Sequence, residues 1–138
     1  MEKKTNYSIQ TLLESRSFLY VLLLIVTICF VSTYTKIYDV KLDMNGDNIH
    51  YYALGKALAE GKGFTNTISF SETPHTHFPP GYPVFVAGVM KFFPDNINAV
   101  KIANGILLYA AILLLFFLLK KISGSIIVAF LTLSLIHI

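Results

Sequence analysis

The fold is decided by an uncharged stretch near the start of the chain, Ser17 to Thr35, which reads SFLYVLLLIVTICFVSTYT. As a helix rising about 1.5 Å per residue, this stretch would extend about 28 Å, close to the hydrocarbon thickness of a bilayer. Residues 99–119 form a second apolar stretch of similar length, and residues 124–138 begin a third that is shorter. The sequence therefore predicts an all-α, multi-pass fold of membrane-spanning helices at 17–35 and 99–119, with a third beginning at 124.

Composition agrees with this prediction. The chain has 138 residues, of which 54% are hydrophobic, and its mean hydropathy of +0.61 is too high for an ordinary soluble domain. The net charge of +3 does not indicate nucleic-acid binding, because the positive charges form no basic stripe and are explained by the orientation of the spans in the membrane. The single cysteine, Cys29, falls inside the first span and leaves no disulfide within the chain.

Two groups of positive charge flank the spans, one before the first and one after the second: Lys3, Lys4 and Arg16, then Lys120 and Lys121. Basic residues close to spans favour the cytoplasmic side. We therefore expect residues 1–16 and the turn 120–123 in the cytoplasm, and residues 36–98 as a long extracytoplasmic loop. No clear cleavage site follows the first span, so it is predicted to be a retained anchor in the cytoplasmic (inner) membrane.

The last six residues, 133–138, read LSLIHI and match one translation of CTGTCTCTTATACACATC, a transposon-end adapter used in sequencing libraries. We expect native sequence to end near Thr132 and the chain to be a fragment of a longer protein. The alternative is that these residues belong to a third helix. His137 is given no functional weight.

The outer loop opens with GDNIHYY at residues 46–52. Its pattern predicts a short helix over 47–60, with Asp47 as the N-cap and Gly61 as the residue that ends it. An acid, an imidazole and a phenol then lie at one end of an apolar stripe, which suits a helix at the membrane interface. The residues on this face are Asp47, His50, Tyr51, Leu54 and Leu58.

Residues 79–83 read PPGYP and predict a rigid corner, with Gly81 in the turn and Pro83 as the first residue of a helix over 83–93. Lys91 is the only charge in that helix, which is too short to span a bilayer. It is expected to be re-entrant or interfacial, the alternative being a plain hydrophobic core helix.

Three further patterns leave alternatives open. Lys62 between two glycines indicates a helix-ending turn rather than a phosphate site, because P-loop spacing is absent.

His75 and His77 could share a face and bind a divalent metal, or could be exposed loop histidines. Asp39 and Asp43 could add ligands, but no spacing forces this. Lys101, about one turn inside the second span, either extends to the headgroups as a structural residue or contacts a lipid phosphate.

Several of these motifs occur together in a known family. The outer loop carries G-D-x-x-x-Y from Gly46 and A-L-x-x-G-x-G-F from Ala57, followed by P-P-G-Y-P from Pro79. The second span opens with A-V-K-I-x-N from Ala99. Over roughly residues 10–132 the chain resembles the N-terminal part of GT-C superfamily glycosyltransferases. The most similar branch contains protein O-mannosyltransferases and lipid A aminoarabinose transferases (glycosyltransferase family 39).

The resemblance implies an enzyme several times longer than this chain. It would take a sugar from a polyprenyl-phosphate carrier and pass it, with inversion, to a glycan, lipid or protein acceptor outside the membrane. The essential acid of the family lies early in the first outer loop and corresponds to Asp47. Asn48 replaces the glutamate that often follows this acid, and Phe78 replaces a lysine that some members carry before the paired prolines.

Asp47 is therefore the candidate catalytic base. The candidate substrate-binding residues are His50, Tyr51, His77, Tyr82 and Lys101. Membrane lipids and the lipid-linked donor are the expected partners, no nucleic acid is expected, and no cofactor is assigned, although a divalent metal is possible. The 138 residues alone are expected to be inactive.

Two other functions stay open at the sequence level. The first is a non-catalytic multi-pass membrane protein, such as a transporter or assembly subunit, whose outer loop binds a partner. The second is a metal-dependent enzyme that uses Asp43, Asp47, His75 and His77.

Overall fold

The computed structural model describes residues 15–39, 46–68, 73–74 and 77–136. Five helices lie in these ranges: α1 (Arg16–Ile37), α2 (Asp47–Ala59), α3 (Gly81–Phe92), α4 (Ile97–Ser123) and α5 (Ile126–Ile136). Between α2 and α3, β1 (Thr65–Asn66) and β2 (Thr73–Pro74) form an antiparallel ladder two residues long. The all-α prediction is confirmed for the described part of the chain, apart from this short ladder.

Helices α1 and α4 are long and apolar enough to cross a membrane. They contain 22 and 27 residues, and their most apolar windows have mean hydropathies of 2.2 and 2.5. The predicted spans 17–35 and 99–119 lie within them. Helix α4 extends beyond its predicted span and includes Lys120 and Lys121, so the predicted turn at 120–123 is helical and the chain turns at Gly124 (φ 68°).

The described residues form two compact units, the first made of residues 15–38 and 106–136 and the second of the described residues between 39 and 105. In the first unit, side chains from α1, the later part of α4 and α5 form an apolar core around the fully buried Phe116. Thr27 donates to the Leu23 carbonyl (2.8 Å) and lies 2.6 Å from the Tyr109 hydroxyl, which therefore donates to Thr27. This hydrogen bond joins α1 to α4 where polar partners are scarce.

In the second unit, α2 and α3 pack against each other and against the first turns of α4. Val86, Met90 and Val100 form the centre of this core, and Leu54 is 1% exposed. A Cβ atom on Gly55 would lie 2.5 Å from Cγ1 of Val86, closer than side chains approach one another. The absence of a side chain at residue 55 therefore allows α2 and α3 to pack closely.

The start of α2 corrects one prediction, and its end confirms another. Gly46 (φ 59°) is the N-cap, and Asp47 is the first helical residue rather than the cap. At the other end, the Gly61 N–H donates to Leu58 O (3.2 Å) and the Lys62 N–H to Ala57 O (2.9 Å). With Gly61 at φ 78°, these two bonds make a Schellman motif, so the glycine-flanked lysine belongs to a helix-ending turn.

Helices α3 and α4 both begin two residues earlier than predicted. Pro80 is the N-cap of α3, and its carbonyl accepts from the Val84 N–H (3.0 Å), which puts Pro83 in the third helical position. Proline is tolerated there because N–H groups in the first turn have no intrahelical partner. At the start of α4, Oδ1 of Asn96 accepts from the Ala99 N–H (3.1 Å).

Candidate functional site

The candidate base, Asp47, lies in the first turn of α2 and is exposed to solvent. A carboxylate there is stabilised by the partial positive charge of the helix N-terminus. His50 and Tyr51 follow one turn later and are half-buried. The predicted face of acid, imidazole and phenol is therefore present on α2, with the acid at its solvent-facing end.

Phe78 is the centre of a group of rings that includes most of the predicted substrate-binding residues. Its ring centroid lies 5.1 Å from that of His50, 5.0 Å from that of Tyr51 and 5.3 Å from that of His77. The edge contact between Tyr51 and Tyr82 (5.4 Å) extends the group, and Tyr82 stacks on Phe85 (6.0 Å). We call these six residues the aromatic surface: His50, Tyr51, His77, Phe78, Tyr82 and Phe85.

Beside the aromatic surface, the second unit contains a cavity of about 190 Å³, which we call the polar cavity. Helix α2 contributes two side chains to it, α3 two and α4 four. The lining residues are Asn48, Tyr52, Tyr82, Val86, Ile97, Val100, Lys101 and Asn104.

Two contacts position the polar groups of this cavity. The Lys101 ammonium donates to the backbone carbonyl of Asp39. The Asn104 amide donates to the Tyr82 hydroxyl at 2.6 Å. Tyr82 is consequently shared between the aromatic surface and the polar cavity and connects the two.

The predicted site residues therefore fall into two groups. Tyr82 and Lys101 line the polar cavity, whereas Asp47 does not. The other three predicted substrate-binding residues belong to the aromatic surface and do not line the cavity: His50, Tyr51 and His77.

Sequence reasoning missed three polar residues of the cavity, namely Asn48, Tyr52 and Asn104. Their spacing carried the signal. Asn48 and Tyr52 are four residues apart on α2, and Asn104 follows Lys101 by three residues on α4, so each pair shares a helix face. Phe78 was noted only as a departure from a family pattern, although it is the centre of the aromatic surface.

The proposed metal ligands are only partly described. Asp43 and His75 lie outside the described residues. Within the described ranges, no group of three or more His, Cys, Asp or Glu side chains is placed to hold a metal ion. Because two of the four proposed ligands lie outside the described residues, the metal-dependent alternative stays a prediction.

A separate ionic cluster connects α2 to the turn after α3. The Lys56 ammonium lies 2.6 Å from the Asp95 carboxylate and 3.8 Å from that of Glu60, which also pairs with Lys62 (2.7 Å). The hydrogen bond and negative charge of Asp95 raise the pKa of Lys56 above its ordinary value. These groups share no residue with the polar cavity, so we assign them a structural role.

Comparison with models of known families, with curated proteins and with solved structures finds no match for this chain. A functional assignment therefore depends on the residues and their geometry alone.

Proposed function

We propose that the chain is the N-terminal part of a multi-pass membrane glycosyltransferase. The enzyme would move a sugar from a polyprenyl-phosphate carrier to an acceptor outside the cytoplasmic membrane. The observation that carries the proposal is the exposed carboxylate of Asp47 at the start of α2, one turn before His50 and Tyr51. The rings of those two residues pack on Phe78, directly before the Pro-Pro-Gly corner.

A membrane location is supported by how little of the long helices is covered. Only 6% of the most apolar window of α1 and 17% of that of α4 is buried within the protein. Contiguous apolar surface of this extent is unfavourable in water and is stable against lipid or further helices.

Charge supports the proposed orientation. Arg16 begins α1, and Lys120 and Lys121 lie in the last turn of α4. If both helices span the membrane, these ends share one side, which the positive charges favour as the cytoplasmic side. The second unit then emerges on the outer face, where a lipid carrier presents its phosphate and sugar.

The proposed chemistry is a single displacement at the anomeric carbon of the sugar. The acceptor oxygen attacks this carbon from the face opposite the carrier, and its proton passes to the Asp47 carboxylate. The bond from the anomeric carbon to the phosphate oxygen breaks, and the polyprenyl phosphate leaves with the electron pair. The configuration at the anomeric carbon is inverted.

The aromatic surface has the composition expected beside such a reaction. Tyrosine combines an apolar ring with a hydroxyl and favours the boundary between lipid and water. Tyr82 is 40% exposed, so its ring is accessible to a ligand arriving from that boundary. His77, which is also exposed, contributes a second polar ring beside Phe78.

The proposal is tested by replacing Asp47 with Asn in the full-length parent enzyme. A general base contributes about 10²- to 10⁴-fold to the reaction rate. The rate of sugar transfer is therefore expected to fall by at least about 10²-fold, while the protein stays in the membrane. Glu60→Gln, which removes an acid at the C-terminal end of α2, is the matched control, and this variant should transfer sugar normally. Near-normal transfer by Asp47→Asn would contradict the assignment.

One observation favours the non-catalytic alternative: Asp47 does not line the polar cavity. In that case the Asp47 carboxylate would only stabilise the N-terminus of α2 through its negative charge, and a glutamate would do the same. Asp47→Glu separates the two functions. A helix-terminal acid tolerates the longer side chain, whereas a base that must meet one particular proton does not.

A further inference from the structure

We infer that Asn104 is a positioning residue, whose amide holds the ring of Tyr82 in place on the aromatic surface. The inference rests on the proposed function for the expectation that Tyr82 contacts the substrate of sugar transfer. Asn104 itself is assigned no contact with the sugar or its carrier and acts only through Tyr82.

Asparagine is an unfavourable residue at this place in α4. The helix has 27 residues and is almost wholly apolar from Ile106 to Leu119. Asparagine forms helices less readily than leucine, and an amide that leaves water requires a hydrogen-bond partner. Asn104 is half-buried, and its amide nitrogen donates to the Tyr82 hydroxyl at 2.6 Å. Helix formation therefore does not account for an asparagine here, whereas the contact with Tyr82 does.

This hydrogen bond restrains the tip of a side chain that is otherwise partly free. Tyr82 is the second residue of α3 and is 40% exposed, so solvent leaves room for other rotamers. Two ring contacts restrain the body of the side chain: the edge contact with Tyr51 at 5.4 Å and the stacking on Phe85 at 6.0 Å. With Asn104 at the hydroxyl, the ring is restrained at three places by residues of α2, α3 and α4.

The distance between Asn104 and Tyr82 is set by the apolar core of the second unit. Val86 of α3 and Val100 of α4 are both buried in that core. Tyr82 precedes Val86 by four residues and Asn104 follows Val100 by four, so each pair shares a helix face. The hydrogen bond thus continues the contact between α3 and α4 by one turn. A well-packed core thereby determines where the Tyr82 hydroxyl lies.

A ring held in place before the substrate arrives improves binding. Ordering a mobile side chain costs about 0.5–1.5 kcal/mol, which corresponds to a factor of about two to ten in affinity. The contact is made in the ground state and in the transition state alike, so its loss raises KM and leaves kcat nearly unchanged. A catalytic base behaves differently, because its loss lowers kcat.

The position of Tyr82 is tested by carbon-13 NMR on the full 138-residue chain in neutral detergent micelles, with the tyrosine rings labelled. The chain has eight tyrosines, and the signals of Tyr51 and Tyr82 are those that disappear in Tyr51→Phe and Tyr82→Phe. Asn104→Leu keeps the size of the side chain but cannot donate. We expect it to shift the Tyr51 signal as well as that of Tyr82, because the Tyr82 ring no longer stays against Tyr51.

Asn104→Asp is the rescue variant. The Tyr82 hydroxyl can donate to the new carboxylate, so the Tyr51 signal should return to its wild-type position. Tyr82→Phe breaks the same hydrogen bond from the other side. It should shift the Tyr51 signal as Asn104→Leu does, and combining the two changes should add no further shift.

The matched control is Asn98→Leu, which removes an amide from the first turn of the same helix, outside the polar cavity. The Tyr51 signal should be unchanged in this variant. In the full-length parent enzyme, Asn104→Leu is expected to raise the KM for the lipid-linked donor by about two- to tenfold. Its kcat should stay within about twofold of wild type, and Asn104→Asp should lower the KM again.

Three results would overturn the inference: a Tyr51 signal that does not move in Asn104→Leu, an equal shift in Asn98→Leu, or an unchanged KM in a parent enzyme that transfers sugar. Normal sugar transfer by Asp47→Asn would contradict the proposed base and leave the NMR result for Asn104 unaffected. Failure of the proposed function is thereby distinguished from failure of this inference.

Discussion

At the scale of single residues, Gly55 is the point on which the packing of the second unit depends. The Cβ of an alanine there would lie 2.5 Å from Cγ1 and 2.7 Å from Cβ of Val86, and 3.2 Å from the backbone oxygen of Pro83. Val86 is β-branched and 1% exposed, so it has little freedom to move aside.

Gly55→Ala is therefore expected to destabilise the second unit by about 1–3 kcal/mol, the usual cost of overpacking a core. The matched control is Gly88→Ala on α3, where an added Cβ meets nothing within 4 Å. That change should be neutral or stabilise by roughly 0.5–1 kcal/mol, because alanine is the better helix former. Hydrogen exchange of amides in α2 and α3 measures both effects. Equal protection in the two variants would contradict the predicted close approach.

The candidate site shows which residues sequence reasoning can find. His50 and Tyr51 follow Asp47 at positions i+3 and i+4, so their shared face was predictable from helical period alone. The bond between Asn104 and Tyr82 joins residues 22 positions apart in the chain, and its formation depends on how α3 and α4 pack. No local pattern specifies such a contact, which is why the polar cavity was missed.

At the scale of secondary-structure elements, α3 is apolar on two opposite sides. Val86, Ala87 and Met90 are buried in the second unit, whereas Val84 is 58% exposed and Phe92 is 82% exposed. The sequence predicted an apolar helix too short to span a bilayer but did not specify which side would be buried. The exposed side is consistent with the expected interfacial position, and the buried side with the alternative of a core helix.

The boundaries of the elements were predictable where a glycine requires a special backbone conformation. Gly61 ends α2 as expected, because a positive φ is readily adopted by glycine. The start of α3 was predicted from the preference of proline for the first helical position, yet Pro83 lies in the third. Both positions tolerate a missing N–H, so the sequence could not distinguish between them.

The ion pair between Lys56 and Asp95 connects α2 to the turn that precedes α4. Because Asp95 raises the pKa of Lys56 in the folded state, the pair contributes stability below the ordinary value of about 10.5, and this stability is lost as pH rises through the raised pKa. Asp95→Asn keeps a residue type that tolerates the positive φ of 52° while removing the charge.

We expect Asp95→Asn to reduce the hydrogen-exchange protection of α2 at neutral pH. The difference in protection between the variant and the wild type should shrink above about pH 10.5, as Lys56 loses its charge. The effect should be small because both side chains are partly solvated, and it should weaken further in high salt. Glu14→Gln, which raises the net charge by the same one unit, is the control for a change of net charge. A difference that persists unchanged at strongly alkaline pH would show that the pair does not act through this titration.

At the scale of the whole molecule, α1 precedes the second unit in the chain and α4 begins within it. Helix α1 ends at Ile37 and α4 begins at Ile97, so if both cross a membrane the intervening residues lie together on one side of it. Apolar length made both helices predictable from sequence. Which faces they cover could not be predicted, because lipid and neighbouring helices are almost equally apolar.

The measurement that tests the account most directly is the side of the membrane on which the second unit lies. A Cys29→Ser background removes the chain's single cysteine, and Lys62→Cys or Ser123→Cys then introduces one probe. In intact cells, a membrane-impermeant maleimide is expected to label Lys62→Cys and to reach Ser123→Cys only after permeabilisation. Labelling of both sites from outside, or protection of Lys62→Cys until the membrane is opened, would contradict an extracytoplasmic site between two spans.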